Sequence, residues 1–381
     1  MPTEQPAQHF RAAQSPPWPP IVPAPGRSAA VLIGTATQVV PSTLPQLPQA
    51  AAGVTALTAE LTGPYGLFDP STVHSRVDPP TPAEVLRLLP APGGERLDLL
   101  LFSFSGHGVR GPGDRLCLAL PGTVDDGNSA EHTALPVATV FQALESVRAR
   151  HKVVVLDCCF AGRALDAPEA ADVHLLTAAG RTKRARTPEG YPQTGFTATL
   201  LRLLAEGVPD GPEHLDLTTL HRHLDVALPA AGLPRPLQRA FGDSGDVALF
   251  RNRAHGTAGT RPGLLARARF AERLKATAAT GGRRRLRHAA ALFAAIASDA
   301  AAHLGPTDPD TLRYRHAHAS ATGAAGEPHR AHALLCETVA AWEPTVPPDD
   351  PGLAAARASL DVWRDRAGAT SPSPTAVETG T

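Results

Sequence analysis

Residues 152–162 read KVVVLDCCFAG, and this stretch decides the fold. A lysine and a run of apolar, mostly β-branched residues lead into an acid, two adjacent thiols and a small-residue turn. A short continuous apolar run bounded by turn residues is the pattern of a strand buried on both faces. Three other runs share it: SAAVLIGT at 28–35, RLDLLLFSFSGHG at 96–108 and DVHLLTAA at 172–179. STVHSRV (71–77) and RLCLALPGT (115–123) read as lesser strands, and GDVALF (245–250) is expected to close the unit. Segments with helical spacing lie between, at 49–63, 81–89, 135–149, 195–206 and 216–228. Thr81, Pro82 and Glu84 give the second of these a capping-box start. Strands alternating with helices predict an α/β fold with a mostly parallel sheet flanked by helices, over residues 28–253.

The surroundings differ in kind. Residues 1–27 are rich in Pro and Gln without periodicity and are expected to form a disordered or extended lead-in. After 253 the strand pattern stops, and residues 254–369 read as an all-α region. Shifted by 42 residues it matches itself: Leu292 falls on Leu334, Asp308-Pro309 on Asp350-Pro351, Arg273 on Arg315 and Arg357, and Gly326 on Gly368. A period of that length with two helices per unit predicts stacked helical hairpins. The last residues, 370–381, are Ser/Thr/Pro-rich and expected to be disordered.

The chain has 381 residues, 43% hydrophobic but only 4% aromatic, so its core rests on Ala, Leu and Val. Formal net charge is +0, from 36 basic and 36 acidic side chains. No global charge points to nucleic acid or a membrane as partner. Lys152, Lys183 and Lys275 are the only lysines. The four cysteines, Cys117, Cys158, Cys159 and Cys336, show no zinc spacing and no disulfide framework, which predicts a cytoplasmic protein. There is no apolar signal segment in the lead-in and no apolar run of membrane-spanning length.

In open parallel sheets, ligands bind at the carboxyl ends of strands. Two strands end there in reactive residues: His107 between Gly106 and Gly108, and Asp157 followed by Cys158 and Cys159. If the two strands are neighbours, an imidazole stands beside a thiol and can take its proton. Glycine lets a backbone N–H come close to a reacting oxygen. Cys117, Cys336, His74, His132 and His174 take structural readings instead.

The SGHG turn after one strand and DCCFAG after the next resemble the signatures of caspase-like cysteine peptidases, above all the bacterial, metacaspase-like branch. There the nucleophile is the third residue of an Asp-x-Cys turn, about fifty residues after Gly-His-Gly. VLIGT, DPPTPAEVLRLL, LCLALPGT, GFTATLLRLLAEG and LPRPLQRA with VALFRN resemble successive segments of actinobacterial members. The helical remainder resembles 42-residue tetratricopeptide units, about two and a half of them. The resemblance implies His107 as acid–base group and Cys159 as nucleophile, with the N–H groups of Gly108 and Cys159 as the oxyanion hole. It makes Cys158 a packing residue. It implies Asp157 as the acid of the S1 pocket, hence cleavage after a basic P1 residue, Arg over Lys; a helix-capping Asp157 is the rival reading. It implies no cofactor. FSFSGHG replaces the usual YYAGHG, AAAGV (51–55) lacks the family's Asn-rich patch, and Asp125-Asp126 is only a loop pair where some relatives bind calcium, so no metal is expected.

The expected function is a cysteine endopeptidase whose activity is set by a protein partner at the helical repeats, with a place in bacterial defence or cell death by family habit. The rivals are a catalytically silent caspase-like scaffold whose repeats bind a partner, and another Cys-dependent hydrolase or transferase. The basic loop GRTKRARTPEG (180–190) reads as a solvated surface loop; self-processing after Arg181, Arg184 or Arg186 is the sharper expectation.

Overall fold

The computed structural model describes residues 19–126, 129–180 and 190–370, with backbone alone at 279–281 and 369–370. Arg181, Arg184 and Arg186, most of the lead-in and the tail after 370 lie outside the described residues. The chain divides into two compact units, the first ending at His255 and the second beginning at Gly256.

The first unit runs β1 (Ser28–Gly34), α1 (Pro48–Thr62), β2 (Val73–Val77), α2 (Pro82–Leu86), β3 (Leu97–Ser105), β4 (Gly108–Arg110), β5 (Leu116–Leu118), α3 (Ala130–Thr133), β6 (Leu135–Pro136), α4 (Val137–Glu145), β7 (Ala149–Asp157), β8 (His174–Thr177), α5 (Gly195–Glu206), β9 (His214–Asp216), α6 (Leu217–Ala230), β10 (Leu237–Arg239) and β11 (Ala248–Arg251). Among the described residues the central sheet has the order β10-β8-β7-β3-β1-β2. Its strands are parallel except β10, which runs antiparallel to β8. This is a mixed α/β layer with a mostly parallel sheet, followed by a helical region.

The apolar runs work as continuous runs because both faces are covered. Leu32, Leu99, Leu101, Val153 and Val155 face α1, α5 and α6. Ile33, Phe102, Phe104, Val154 and Leu156 face the side that carries Val85 of α2 and Phe141 of α4. Burying one such side chain contributes about 1.5–3 kcal/mol.

Three local expectations are corrected. GDVALF does not close the main sheet: β11 pairs antiparallel with β9 in a separate ribbon. The sheet ends instead on β10, inside LPRPLQRA. The helix expected over 135–149 is shorter, because Leu135–Pro136 pairs with β5 and Ala149 already belongs to β7. Residues 19–27, expected to be disordered or extended, are anchored: Ile21 bridges to Val247, and Arg27 pairs with Asp98 at 2.6 Å. The two sheet edges differ from the centre. In β2 every residue is at least partly exposed, with His74, Ser75, Arg76 and Val77 the more exposed, and β10 has three half-buried residues after Pro234 and Pro236.

His174, at the start of β8, is 0% exposed. Its Nε2 lies 2.9 Å from the Gln238 amide nitrogen and its Nδ1 lies 3.0 Å from Ser244 Oγ. An amide NH2 can only donate, so Nε2 accepts and Nδ1–H donates to the serine. Burial, with the nearby His221, holds the pKa down to about 4. The unfolded chain protonates this imidazole near 6.5, and the folded one only near 4. Between those values acid therefore favours unfolding, and stability is lost as pH falls from about 6.5. Urea melts at pH 5 should show about 2 kcal/mol less stability than at pH 7 from this residue, and His174→Gln should remove much of that slope.

The second unit contains α7 (Arg261–Ala276), α8 (Ala278–His303), α9 (Pro309–Ala324), α10 (Pro328–Trp342) and α11 (Pro351–Thr370), each packed on the next. Positions 42 residues apart match only in part: Asp308 and Asp350 both precede a helix, whereas Gly326 lies in the turn after α9 and Gly368 lies within α11. Asp308 accepts from the Asp310 N–H at the start of α9, and Asp350 accepts from the Leu353 N–H at the start of α11, both at 2.9 Å. Arg273, Arg315 and Arg357 fall on α7, α9 and α11. Close helix approach needs Gly323: a Cβ there would lie 2.5 Å from the Trp363 ring. Among the described residues no helix is long and apolar enough to cross a membrane.

Candidate active site

β3 and β7 are parallel neighbours at the centre of the sheet, and their register pairs Ser105 with Asp157. His107 and Cys159 therefore each stand two residues beyond one paired position. Two further bonds extend the match past the ladder: Gly106 N–H donates to Asp157 O, and Thr35 N–H donates to Ser105 O. The chain runs from β1 to β2 on one side and then crosses back over β1 to β3 on the other, so the connections diverge between β1 and β3, one strand away from the β3–β7 pair.

The glycine after the histidine is what allows the approach. A Cβ on Gly108 would sit 2.0 Å from the Cys159 carbonyl oxygen and 3.2 Å from Cys158 Sγ. No other residue fits between the two turns without moving one of them. Phe160, next after Cys159, has φ of 59°, the left-handed region that a bulky side chain rarely adopts. Arg110 and Arg163 lie over its ring, at 5.7 and 5.8 Å from the centroid. The turn is thus held sharp, with the backbone of Cys159 at its apex.

The two thiols are unlike each other. Cys158 is 0% exposed, and burial, reinforced by Cys159 and Asp157, pushes its pKa well up. Cys159 is partly exposed. A thiol must be reachable to attack, so of the pair only Cys159 meets that requirement. Cys117 is buried on β5 with its pKa pushed up to about 11, chiefly by burial.

His107 Nε2 lies 2.8 Å from the carbonyl oxygen of Pro45. A carbonyl only accepts, so Nε2 carries the hydrogen and the neutral ring leaves its lone pair on Nδ1. Pro45 belongs to the loop 35–47, which crosses the carboxyl edge of the sheet between β1 and α1.

Asp157 is 3% exposed. Its carboxylate accepts from the hydroxyls of Thr194 and Thr197, the latter at 2.6 Å, and from the Thr197 N–H. Burial raises its pKa and these bonds oppose the rise. The carboxylate thus sits at the N-terminal turn of α5, not at the turn that follows Cys159.

Sequence reasoning singled out His107, Gly108, Asp157 and Cys159, and all four lie at this edge. It missed Pro45, which meets His107 through a backbone carbonyl and has no residue-type signature. It also missed Thr194 and Thr197, whose spacing of three on the first turn of a buried helix was the available signal. Among the described residues no group of three or more His, Cys, Asp or Glu could hold a metal ion. A cleft of about 670 Å³, lined by Asp114, Arg115, Glu131, Gln142 and Arg163 among others, includes neither His107 nor Cys159.

These features define the class: an α/β protein with an imidazole and an accessible thiol at the carboxyl ends of two adjacent central strands. No family model and no curated protein matches the chain. Among solved structures it is similar to caspase-1 from Spodoptera frugiperda, with a TM-score of 0.41 and 12% identity, covering 60% of this chain and 94% of that one. At that level the likeness adds nothing to the geometry of the site.

Proposed function

We propose that the chain is a cysteine endopeptidase of caspase-like type. The observation that carries this reading is the register: His107 and Cys159 each lie two residues past the Ser105–Asp157 pair, with Gly108 against the Cys159 backbone. In the reaction, Nδ1 of His107 takes the proton of Cys159, and the thiolate attacks the scissile carbonyl carbon. The N–H groups of Gly108 and Cys159 receive the developing oxyanion. His107 then protonates the leaving amine as the C–N bond breaks, leaving a thioester. Water, deprotonated by the same imidazole, hydrolyses it and restores the thiol.

Asp157 is the specificity group in this reading. A buried carboxylate at the pocket floor accepts a guanidinium on two bonds and repels an acidic P1 side chain. The helical unit is the place where a protein partner sets activity. Hydrolysis of paired fluorogenic peptides ending in Arg or in Asp, by the full chain and by residues 26–253, tests the whole reading. Arg-selective cleavage is the expected result, and greater activity in the shorter chain marks the helices as inhibitory. Cleavage that prefers Asp, or Arg cleavage that survives Cys159→Ala, overturns it.

A further inference from the structure

Loop 35–47 places the Pro45 carbonyl against His107, and a loop is a poor support unless something fixes it. Its two ends are tied inside the loop. Leu47 N–H donates to Ala36 O at 2.7 Å. Gln38 and Gln46 exchange two bonds, Gln38 N–H to Gln46 Oε1 at 2.8 Å and Gln46 Nε2–H to Gln38 O at 2.9 Å. The loop is therefore a closed unit, and its backbone is tied outside itself at Thr35, which donates to Ser105 O at 3.0 Å, and at Val39, which donates to Pro121 O at 2.9 Å.

A further anchor, made by a side chain, is at the end of β2. Asp78 Oδ1 accepts from the N–H of Ala36 at 2.7 Å and from that of Thr37 at 3.0 Å. Its own N–H donates to Gly34 O at 2.8 Å. To do this the residue adopts φ of 53°, a conformation that Asp and Asn tolerate and most side chains avoid. Ala36 is then held on both sides, by Asp78 through its N–H and by Leu47 through its carbonyl. The path from the carboxylate to Pro45 is short: Ala36 to Leu47, and Pro45 lies two residues before Leu47.

We propose that Asp78 is a positioning residue of this active site: its carboxylate pins the root of loop 35–47, so that the Pro45 carbonyl meets His107 and fixes the tautomer that frees Nδ1. The proposal rests on the His107–Cys159 reading above. It is distinct from that reading in placing a requirement on β2, a strand that contributes nothing else to the site.

The geometry supplies its own test. Both N–H groups bond to one oxygen, so Asp78→Asn keeps the acceptor and the left-handed backbone. Asp78→Gly keeps the backbone and removes the acceptor. The readout is the rate of Cys159 alkylation by iodoacetamide as a function of pH in the full chain, followed by mass spectrometry of the Cys159 peptide. His107→Ala serves as the reference for a thiol without its base. Asp78→Asn is expected to stay within about threefold of the parent at pH 7, and Asp78→Gly to fall by about tenfold or more, its pH profile moving towards that of His107→Ala. If Asp78→Gly does not fold, Asp78→Ser, whose side chain is too short to reach both groups, is read in the same way.

Asp78→Gly alkylating with the parent's rate and profile overturns the proposal. So does an Asp78→Asn protein as slow as Asp78→Gly, since the effect would then follow the charge and not the bond. A parent whose Cys159 reacts no faster than His107→Ala overturns the dyad itself, and the positioning role falls with it. These failures are distinct in the same data set.

Discussion

Cys159→Ala should lose peptide cleavage by at least about 10⁴-fold, while Cys158→Ala should retain it within about tenfold. The contrast is the informative part, because the two thiols are adjacent in sequence and opposite in environment. Cys158 lies in the apolar cluster with Phe104, Leu156 and Ala161. Its replacement removes packing and should cost stability, about 1–2 kcal/mol for one small buried group, with the chemistry intact. Cys159 is the partly exposed member, and its loss removes the attacking atom. Initial rates with a fluorogenic Arg peptide, beside thermal melts of both variants, check the pair. A Cys158→Ala protein that folds and is inert, next to an active Cys159→Ala protein, would reverse the assignment.

The second large effect belongs to Asp157. Asp157→Asn should lower kcat/KM for an Arg peptide by about 30-fold to several thousand-fold, since truncating one partner of a buried charge pair costs about 2–5 kcal/mol. A peptide with a neutral P1 side chain should be cut at a rate changed far less. The substitution also separates the two uses of this carboxylate. As a helix-terminal group, Asp157 receives the Thr194 and Thr197 hydroxyls, and its removal would act on stability alone. As an S1 acid, it would act on Arg peptides alone. Burial lifts its pKa above the ordinary carboxylate value of 3.8. The acid limb of kcat/KM for Arg peptides should therefore lie above that value, and it should vanish in Asp157→Asn. Equal losses for Arg and neutral peptides would remove Asp157 from the specificity pocket.

The central strands were legible because they are long and apolar, and being buried on both faces leaves no alternation to misread. β1, β3, β7 and β8 all follow from such runs. The short strands were not legible. β9 and β10 have three residues each, fewer than any periodicity can register, and β10 lies among prolines that argue against a strand. VALF was read as a strand from its own residues, but its partner β9 was invisible, so it was assigned to the wrong sheet. The same division holds at the site. The side chains proposed to act by their own chemistry, His107, Asp157 and Cys159, stand out in the sequence. Pro45 meets His107 through a carbonyl that every residue possesses, and Asp78 meets the loop 35–47 only because β1 pairs with β2. Their roles exist in the folded backbone and have no local signature.

The two ends of the central sheet bear on how this protein behaves at high concentration. An open sheet with a long, flat, apolar margin offers unpaired backbone groups to a second chain and templates fibrillar growth. Here one margin is the five-residue β2, outward-facing and carrying His74 and Arg76, and the other is the three-residue β10 behind two prolines. Short length, exposed charge and flanking prolines make both margins poor templates for a foreign strand. A sheet whose interior strands are among the most apolar segments in the chain is thereby kept from becoming a seed for aggregation.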